Sequence, residues 1–112
     1  MRHLLATLIL IIPASAQADL AEVIEVDYAP GRLSVTIAHP DTGWDHYADA
    51  WEVLSPDGTS LGTRELAHPH VEEQPFTRSL SVTLPGEAPW TVLIRARDSV
   101  HGWSEPIEVT LD

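Results

Sequence analysis

Apolar and polar residues alternate along most of the chain, and this period of two is typical of β-strands with one buried face. The alternation is clearest at residues 33–37, 79–84 and 90–97. Shorter or weaker runs of the same kind lie at residues 23–28, 51–53, 60–66 and 107–111. Turn-forming proline, glycine and aspartate separate the runs, and no sustained 3.6-residue period follows residue 20. The pattern predicts seven short antiparallel strands folded as a β-sandwich.

The first 18 residues have the layout of a secretory signal peptide. A basic start at Arg2 precedes an apolar run over residues 4–12, and small residues follow. Two A-x-A registers place the cleavage after Ala16 or after Ala18. The apolar run is much shorter than the ~20 residues that a spanning helix needs. We therefore predict a periplasmic or secreted protein with no membrane span in the mature chain, and no lipid anchor because cysteine is absent.

Removal of this segment leaves residues 19–112 as one domain, slightly below the usual size of ~100–150 residues. A chain of this length can bury a single core but has no room for a second one. It contains no cysteine, so no disulfide can strengthen it. Its stability must come from packing, assisted by a ligand if one is bound.

The negative charge of the chain argues against some classes of binding partner. The chain has 17 acidic residues, six arginines and no lysine, which gives a formal net charge of −11. Such a surface repels the phosphate backbone of nucleic acids and the head groups of anionic lipids. It attracts cations weakly. We expect no nucleic-acid partner.

Two stretches carry a resemblance to a known family. The sequence WTVLIRARDSVHGWSEPIEVTL (residues 90–111) resembles the last two strands of fibronectin type III domains, and AWEVLSPDGT (residues 50–59) resembles their third strand and the following turn. Trp90 stands where that family usually has tyrosine. The resemblance implies an immunoglobulin-like β-sandwich, a fold that hosts many unrelated functions and so implies no activity.

The histidines are the candidate metal-binding residues. All five in the mature chain fall in predicted connectors and none on an inward strand face: His39, His46, His68, His70 and His101. In a fibronectin-like strand order, the connectors after the second and sixth strands lie at one end of the sandwich, and the connector after the fourth begins there. The resemblance therefore implies that these side chains converge.

His68 and His70 flank Pro69, which favours an extended backbone. Residues i and i+2 of an extended segment point the same way, so this pair presents two imidazoles on one side. Neutral imidazole binds zinc and copper well. We interpret His68 and His70 as the core of a copper or zinc site, followed in order by His101, His46 and His39. Four carboxylates could complete the site or orient the rings: Asp45, Glu72, Glu73 and Asp98.

Two other interpretations of the histidines stay open. They could form only local hydrogen bonds in surface loops. They could also act as a protonation switch, because an imidazole with a pKa near ~6.5 changes its charge in mildly acidic surroundings.

Aromatic residues at the same predicted end suggest a different kind of site. Trp44, between Gly43 and Asp45, is expected to be exposed, and Tyr47 lies close to it in sequence. Such side chains anchor partner proteins or stack on sugars. The alternative function is thus docking to an envelope protein or a glycan, with no metal.

No catalytic motif is present. Asp98, Ser99 and His101 contain the residue types of a catalytic triad, but neighbours on one loop rarely adopt its geometry. The sequence has no nucleophile elbow, zinc-protease motif, phosphate loop or dinucleotide fingerprint. We predict a small exported binding module that is not an enzyme.

Overall fold

A computed structural model describes residues 20–112 of the chain. The predicted signal peptide, residues 1–18, lies outside the described part. Eight strands are formed: β1 (Glu22–Ala29), β2 (Arg32–Ala38), β3 (Ala48–Leu54), β4 (Ser60–Glu65), β5 (Phe76–Ser81), β6 (Trp90–Asp98), β7 (Gly102–Trp103) and β8 (Ile107–Leu111). Among these 93 residues there is no helix of the length and apolarity required to cross a bilayer.

The strands form two antiparallel sheets, which confirms the predicted all-β class. The first sheet has the order β1-β2-β5. In the second, β4 pairs with β3 and β3 with β6, and β6 also pairs with both β7 and β8. Of the three runs that alternate most clearly in sequence, two form β2 and β6, which occupy interior positions in their sheets, and the third overlaps β5, at the edge of the first sheet.

The structure differs from the predicted strands in two places. The predicted last strand, residues 107–111, is β8, but an additional short strand, β7, also pairs with β6 and is separated from β8 by Pro106, which cannot donate to the ladder. The fifth strand was predicted over residues 79–84, whereas β5 begins at Phe76, in register with Ile37, and ends at Ser81. Leu84 is nevertheless buried, so the alternation there reports burial beyond the paired strand.

The core lies between the two sheets and consists of the side chains at alternate strand positions. Leu33, Val35 and Ile37 from β2 face Trp51 and other fully buried residues of the second sheet. Trp90 lies at the margin of this core, with its ring edge-on to Tyr28 at 5.1 Å.

Arginines on the outer face of the second sheet form ion pairs. Arg95 donates to Glu52 through Nε (2.9 Å) and Nη2 (2.7 Å). Arg97 donates to Asp49 at 2.8 Å, and both guanidinium groups lie over the ring of Trp103. Burial alone raises the pKa of Glu52, but hydrogen bonds from Ser60 and Arg95 outweigh it and hold that pKa below its usual value.

One end of the sandwich gathers every described histidine. The register pairs the start of β3 with the ends of β6 and β4, and the end of β2 with the start of β5. Residues 39–47, 66–75 and 99–101 therefore connect the strands at the same end. We call these three connectors the histidine end.

Candidate metal centre

Asp98 is the last residue of β6, and its side chain is fully buried. Its Oδ1 accepts hydrogen bonds from the backbone N–H groups of Val100 (2.9 Å) and His101 (2.7 Å) and from Nδ1 of the His101 ring (3.1 Å). Burial tends to raise the pKa of this carboxyl. These hydrogen bonds prevail and lower the pKa below its usual value, so Asp98 is a buried carboxylate at neutral pH.

The second oxygen of Asp98 is in a different situation. Oδ2 is buried and has no hydrogen-bond partner among residues 20–112. A buried carboxylate oxygen without a donor is costly, and such atoms call for a specific explanation. Since Oδ1 already accepts three bonds, Oδ2 is the oxygen that Asp98 would offer to an ion.

His46 reaches the same place from the first connector. A tight turn holds it, with mutual backbone hydrogen bonds between residues 42–43 and 46. Its Nε2 lies 3.2 Å from Asp98 Oδ1, but the angles are not those of a hydrogen bond. In the described part of the chain Nε2 is thus a second buried polar atom without a hydrogen-bond partner. The ring as a whole stays 20% exposed.

His39 follows β2 and is completely buried at its side chain. Its Nδ1 lies 2.6 Å from Oδ1 of Asp41, and its ring lies edge-on to that of His46 at 4.8 Å. A carboxylate that accepts from one ring nitrogen fixes the tautomer and orientation of a metal-binding histidine. The contact with Asp41 thus fixes the orientation of the His39 ring beside His46.

Asp41 supports more than one histidine. Its Oδ1 also accepts from the backbone N–H of Ala48 at 3.0 Å, and its Oδ2 accepts from the backbone N–H of His70 at 2.7 Å. The buried carboxylate therefore joins the first connector, the start of β3 and the second connector. Gln74 adds a further link, because its side chain accepts from the His39 N–H and donates to the His70 carbonyl.

His39, His46 and Asp98 could hold a metal ion together. Each offers one ligand atom, and these atoms lie within 4.8 Å of one another. Ligands at 2.0–2.1 Å from a tetrahedral zinc are about 3.3 Å apart, which is closer than this limit, so the three groups would move together on binding. Two imidazoles and one carboxylate suit zinc, copper or iron.

His101 lies beside this set but outside it. Its ring is 5.1 Å from that of His46 and is 33% exposed at the side chain. The structure thus brings together His39, His46 and His101, three of the five histidines that were predicted to converge. The fourth group in the cluster is Asp98, one of the carboxylates suggested from sequence.

His68 and His70 form a separate pair. Their rings are 4.7 Å apart, close together as the His-Pro-His spacing predicts. However, the buried His70 ring stacks on Phe76, and its Nε2 lies 2.8 Å from Nη2 of Arg78. A guanidinium cannot accept a hydrogen bond, so Nε2 accepts and the ring proton is on Nδ1. The metal role of this pair stays a prediction, and the cation beside His70 disfavours it.

The pKa of His70 agrees with that assignment. Burial lowers it first, and the positive charge of Arg78 lowers it further, with a smaller contribution from His68. Glu73 and Asp41 act in the opposite direction and do not prevail. His70 is therefore a neutral side chain of the connector, held by Phe76 and Arg78.

The predicted docking residues flank the cluster. Trp44 is 68% exposed and meets Tyr47 edge-on at 5.6 Å. The backbone of Tyr47 is bonded to Ser99 in both directions, which fixes the first connector against the third. Asp45, Glu72 and Glu73 are exposed. Glu73 contacts Arg78 at 3.3 Å.

Sequence reasoning missed Asp41. A signal for it was present, because His39-Pro40-Asp41 has the same spacing around proline as His68-Pro69-His70. The rule that places two imidazoles on one side of the second connector also places an imidazole beside a carboxylate in the first.

No family model matches the chain. A curated protein of Halomicrobium mukohataei, named "Putative lipoprotein", is 42% identical over 96 residues. The match covers 80% of this chain and 47% of that protein, so the chain spans about half the length of its relative.

The fold is similar to the crystal structure of the hypothetical protein PH1083 from Pyrococcus horikoshii OT3. The TM-score is 0.53 at 15% sequence identity, and the match covers 84% of this chain and 90% of that one. At this identity the likeness concerns the fold alone: an all-β domain of two sheets.

Proposed function

We propose that this protein is a small, exported, non-catalytic module that binds one zinc or copper ion through His39, His46 and Asp98. One observation carries the proposal: Asp98 Oδ2 and His46 Nε2 are both buried, and neither has a hydrogen-bond partner among the described residues. A cation bound by both atoms would remove two unsatisfied groups at once, whereas a purely structural cluster would leave both costs in place.

Charge and second-sphere contacts support the same conclusion. The Asp41–His39 pair supplies the outer carboxylate that commonly accompanies a metal-binding histidine. The strongly acidic chain favours cations near its surface. The pairing order of the two sheets is also compatible with the fibronectin type III-like sandwich that the sequence resembles.

Two separate observations support the proposal that the protein is exported. The first is the signal-peptide pattern of residues 1–18. The second is the name of the Halomicrobium relative, since lipoproteins are exported. Both agree with a protein that works outside the cytoplasm, where it would meet metal ions from the environment.

The proposal is tested by thermal unfolding of the chelator-stripped protein with and without Zn²⁺ or Cu²⁺. At a hundredfold excess over Kd, binding adds about 2.7 kcal/mol to the free energy of unfolding. For a domain of this size that raises the midpoint by roughly 10 °C or more. We expect this shift in the wild type and its loss in His46→Ala.

His68→Ala is the matched control, because His68 is an exposed histidine of the same end of the molecule. We expect it to keep the full metal-dependent shift. A shift that survives His46→Ala but disappears in His68→Ala would move the site to the His68–His70 pair. Absence of any shift with either ion would reject metal binding.

The exposure of Trp44 favours a second candidate function, docking of an envelope protein or a glycan without metal. In that case Trp44→Ala should abolish binding on a glycan array, or capture of a partner from envelope extract, in the presence of chelator. Ile24→Ala is the control, since Ile24 is also exposed but lies on β1, outside the histidine end. Equal binding by both variants and the wild type would argue against this function.

A further inference from the structure

We propose that the metal centre keeps a fourth coordination position on its His46–His101 side, and that this position takes an exchangeable neutral nitrogen donor, such as the imidazole of another protein. The inference rests on the proposed function and deepens it. It concerns what the bound ion would do: an ion with an accessible position can be handed to or received from a partner, whereas a closed site only stabilises the fold.

The first step is the number of protein ligands. Among residues 20–112, the set whose ligand atoms lie within 4.8 Å contains three members, His39, His46 and Asp98. Structural zinc sites are closed by four protein ligands, whereas sites with three leave a position for water or another ligand. The candidate centre has three protein ligands and therefore leaves one position for another ligand.

The second step is the orientation of His101, the obvious fourth ligand. Its backbone N–H and its ring Nδ1 both donate to Oδ1 of Asp98. The two nitrogens of an imidazole direct their hydrogen or lone pair to opposite sides of the ring. While Nδ1 faces Asp98, Nε2 faces away from it, so His101 lines the approach to the ion without coordinating it.

The third step is solvent access. The side chains of His39 and Asp98 are fully buried, whereas those of His46 and His101 are 20% and 33% exposed. Since His46 Nε2 is itself buried, a bound ion would be closed off on the His39–Asp98 side and covered on the other side only by the partly exposed rings of His46 and His101. The exposed ring of Trp44 contacts Tyr47, whose backbone is bonded to Ser99, the residue after Asp98.

The last step is charge, which selects the class of the incoming ligand. The two charges of a divalent ion are balanced by the Asp98 carboxylate and by the Asp41 carboxylate behind His39. The surrounding chain is acidic, with a formal net charge of −11. A small anion gains little from such a centre and is repelled on approach, so a neutral donor is favoured.

The experiment uses the purified protein loaded with Cu²⁺, and it follows the ligand-field absorption and electron paramagnetic resonance spectra. Imidazole should change both spectra in a saturable 1:1 titration while equilibrium dialysis shows that the copper stays bound. Azide should require at least about tenfold higher concentration for a comparable change, which corresponds to roughly 1.4 kcal/mol. His101→Ala should retain the imidazole response and bind Cu²⁺ within about threefold of the wild type, a difference of less than ~1 kcal/mol.

The outcomes separate this inference from the proposed function. If the wild type binds no copper, both fail. If copper binds but the spectra ignore imidazole, or imidazole simply strips the ion, metal binding stands and the open position is rejected. A loss of copper affinity of about tenfold or more in His101→Ala, which equals ~1.4 kcal/mol, would identify His101 as the fourth ligand of a closed site. Tighter binding of azide than of imidazole would overturn the preference for a neutral donor.

Discussion

Asp41→Ala is expected to lower the free energy of unfolding of the metal-free protein by about 3–5 kcal/mol, because it removes a buried charged acceptor from its partners. Three donors lose their acceptor at once: His39 Nδ1, Ala48 N and His70 N. All three belong to buried residues, so water cannot readily replace the carboxylate. Chemical denaturation monitored by tryptophan fluorescence measures the loss.

Asp41→Asn provides the matched variant, since the amide retains one oxygen of nearly the same shape. We expect a smaller loss of stability than for alanine. We also expect metal affinity to fall by about 10–100-fold, because His39 loses the outer carboxylate that orients it. If Asp41→Ala costs less than about 1 kcal/mol, the carboxylate does not join the connectors as its contacts indicate.

Asp98 is expected to show the second large effect, and two substitutions separate its roles. Asp98→Ala removes the acceptor of three hydrogen bonds, so the metal-free protein should lose about 2–4 kcal/mol. Asp98→Asn keeps an oxygen for the backbone N–H groups of Val100 and His101, so most of that stability should remain. Both variants should lose the metal-dependent thermal shift, because both remove the ligand oxygen.

The pH dependence of stability gives an independent check on Asp98. Its pKa is lowered in the folded protein, so the folded state favours the charged form. The resulting stabilisation is present above the unfolded pKa of ~3.9 and is lost as the pH falls through the lower folded value. Asp98→Asn should therefore flatten the acid limb of the stability curve below about pH 4. An unchanged acid limb, together with a full thermal shift, would contradict the role assigned to this carboxylate.

The fold was predictable from sequence because periodicity reports burial directly. Residues of β2 alternate between the core and the outer face, and their order in the sequence shows this. What periodicity cannot show is which buried positions are also hydrogen-bonded to a neighbouring strand. Val82 and Leu84 alternate as strand residues do, yet β5 ends at Ser81.

The candidate site was predictable only in part. Strand order implied that the histidine-bearing connectors meet, and His39, His46 and His101 do. The prediction that His68 and His70 form the core of a metal site depended on local backbone geometry. In the structure the two rings are neighbours, as that geometry predicts. A cation from β5, Arg78, then lies against His70. The contact between the connector residue His70 and the strand residue Arg78 depends on the assembled fold. It could not be predicted from the local spacing of residues in the sequence.

The placement of the candidate ligands also bears on mechanical strength. His39 follows β2 of the first sheet, whereas Asp98 ends β6 of the second, so an ion held by both would act as a clasp between the sheets. Among residues 20–112 the opposite end of the sandwich has no corresponding cluster of candidate metal ligands, so the sheets are held there by side-chain packing. In the metal-loaded domain, the two sheets should therefore begin to separate at the end of the sandwich opposite the histidine end. The force required to unfold the domain should depend on the direction in which it is pulled.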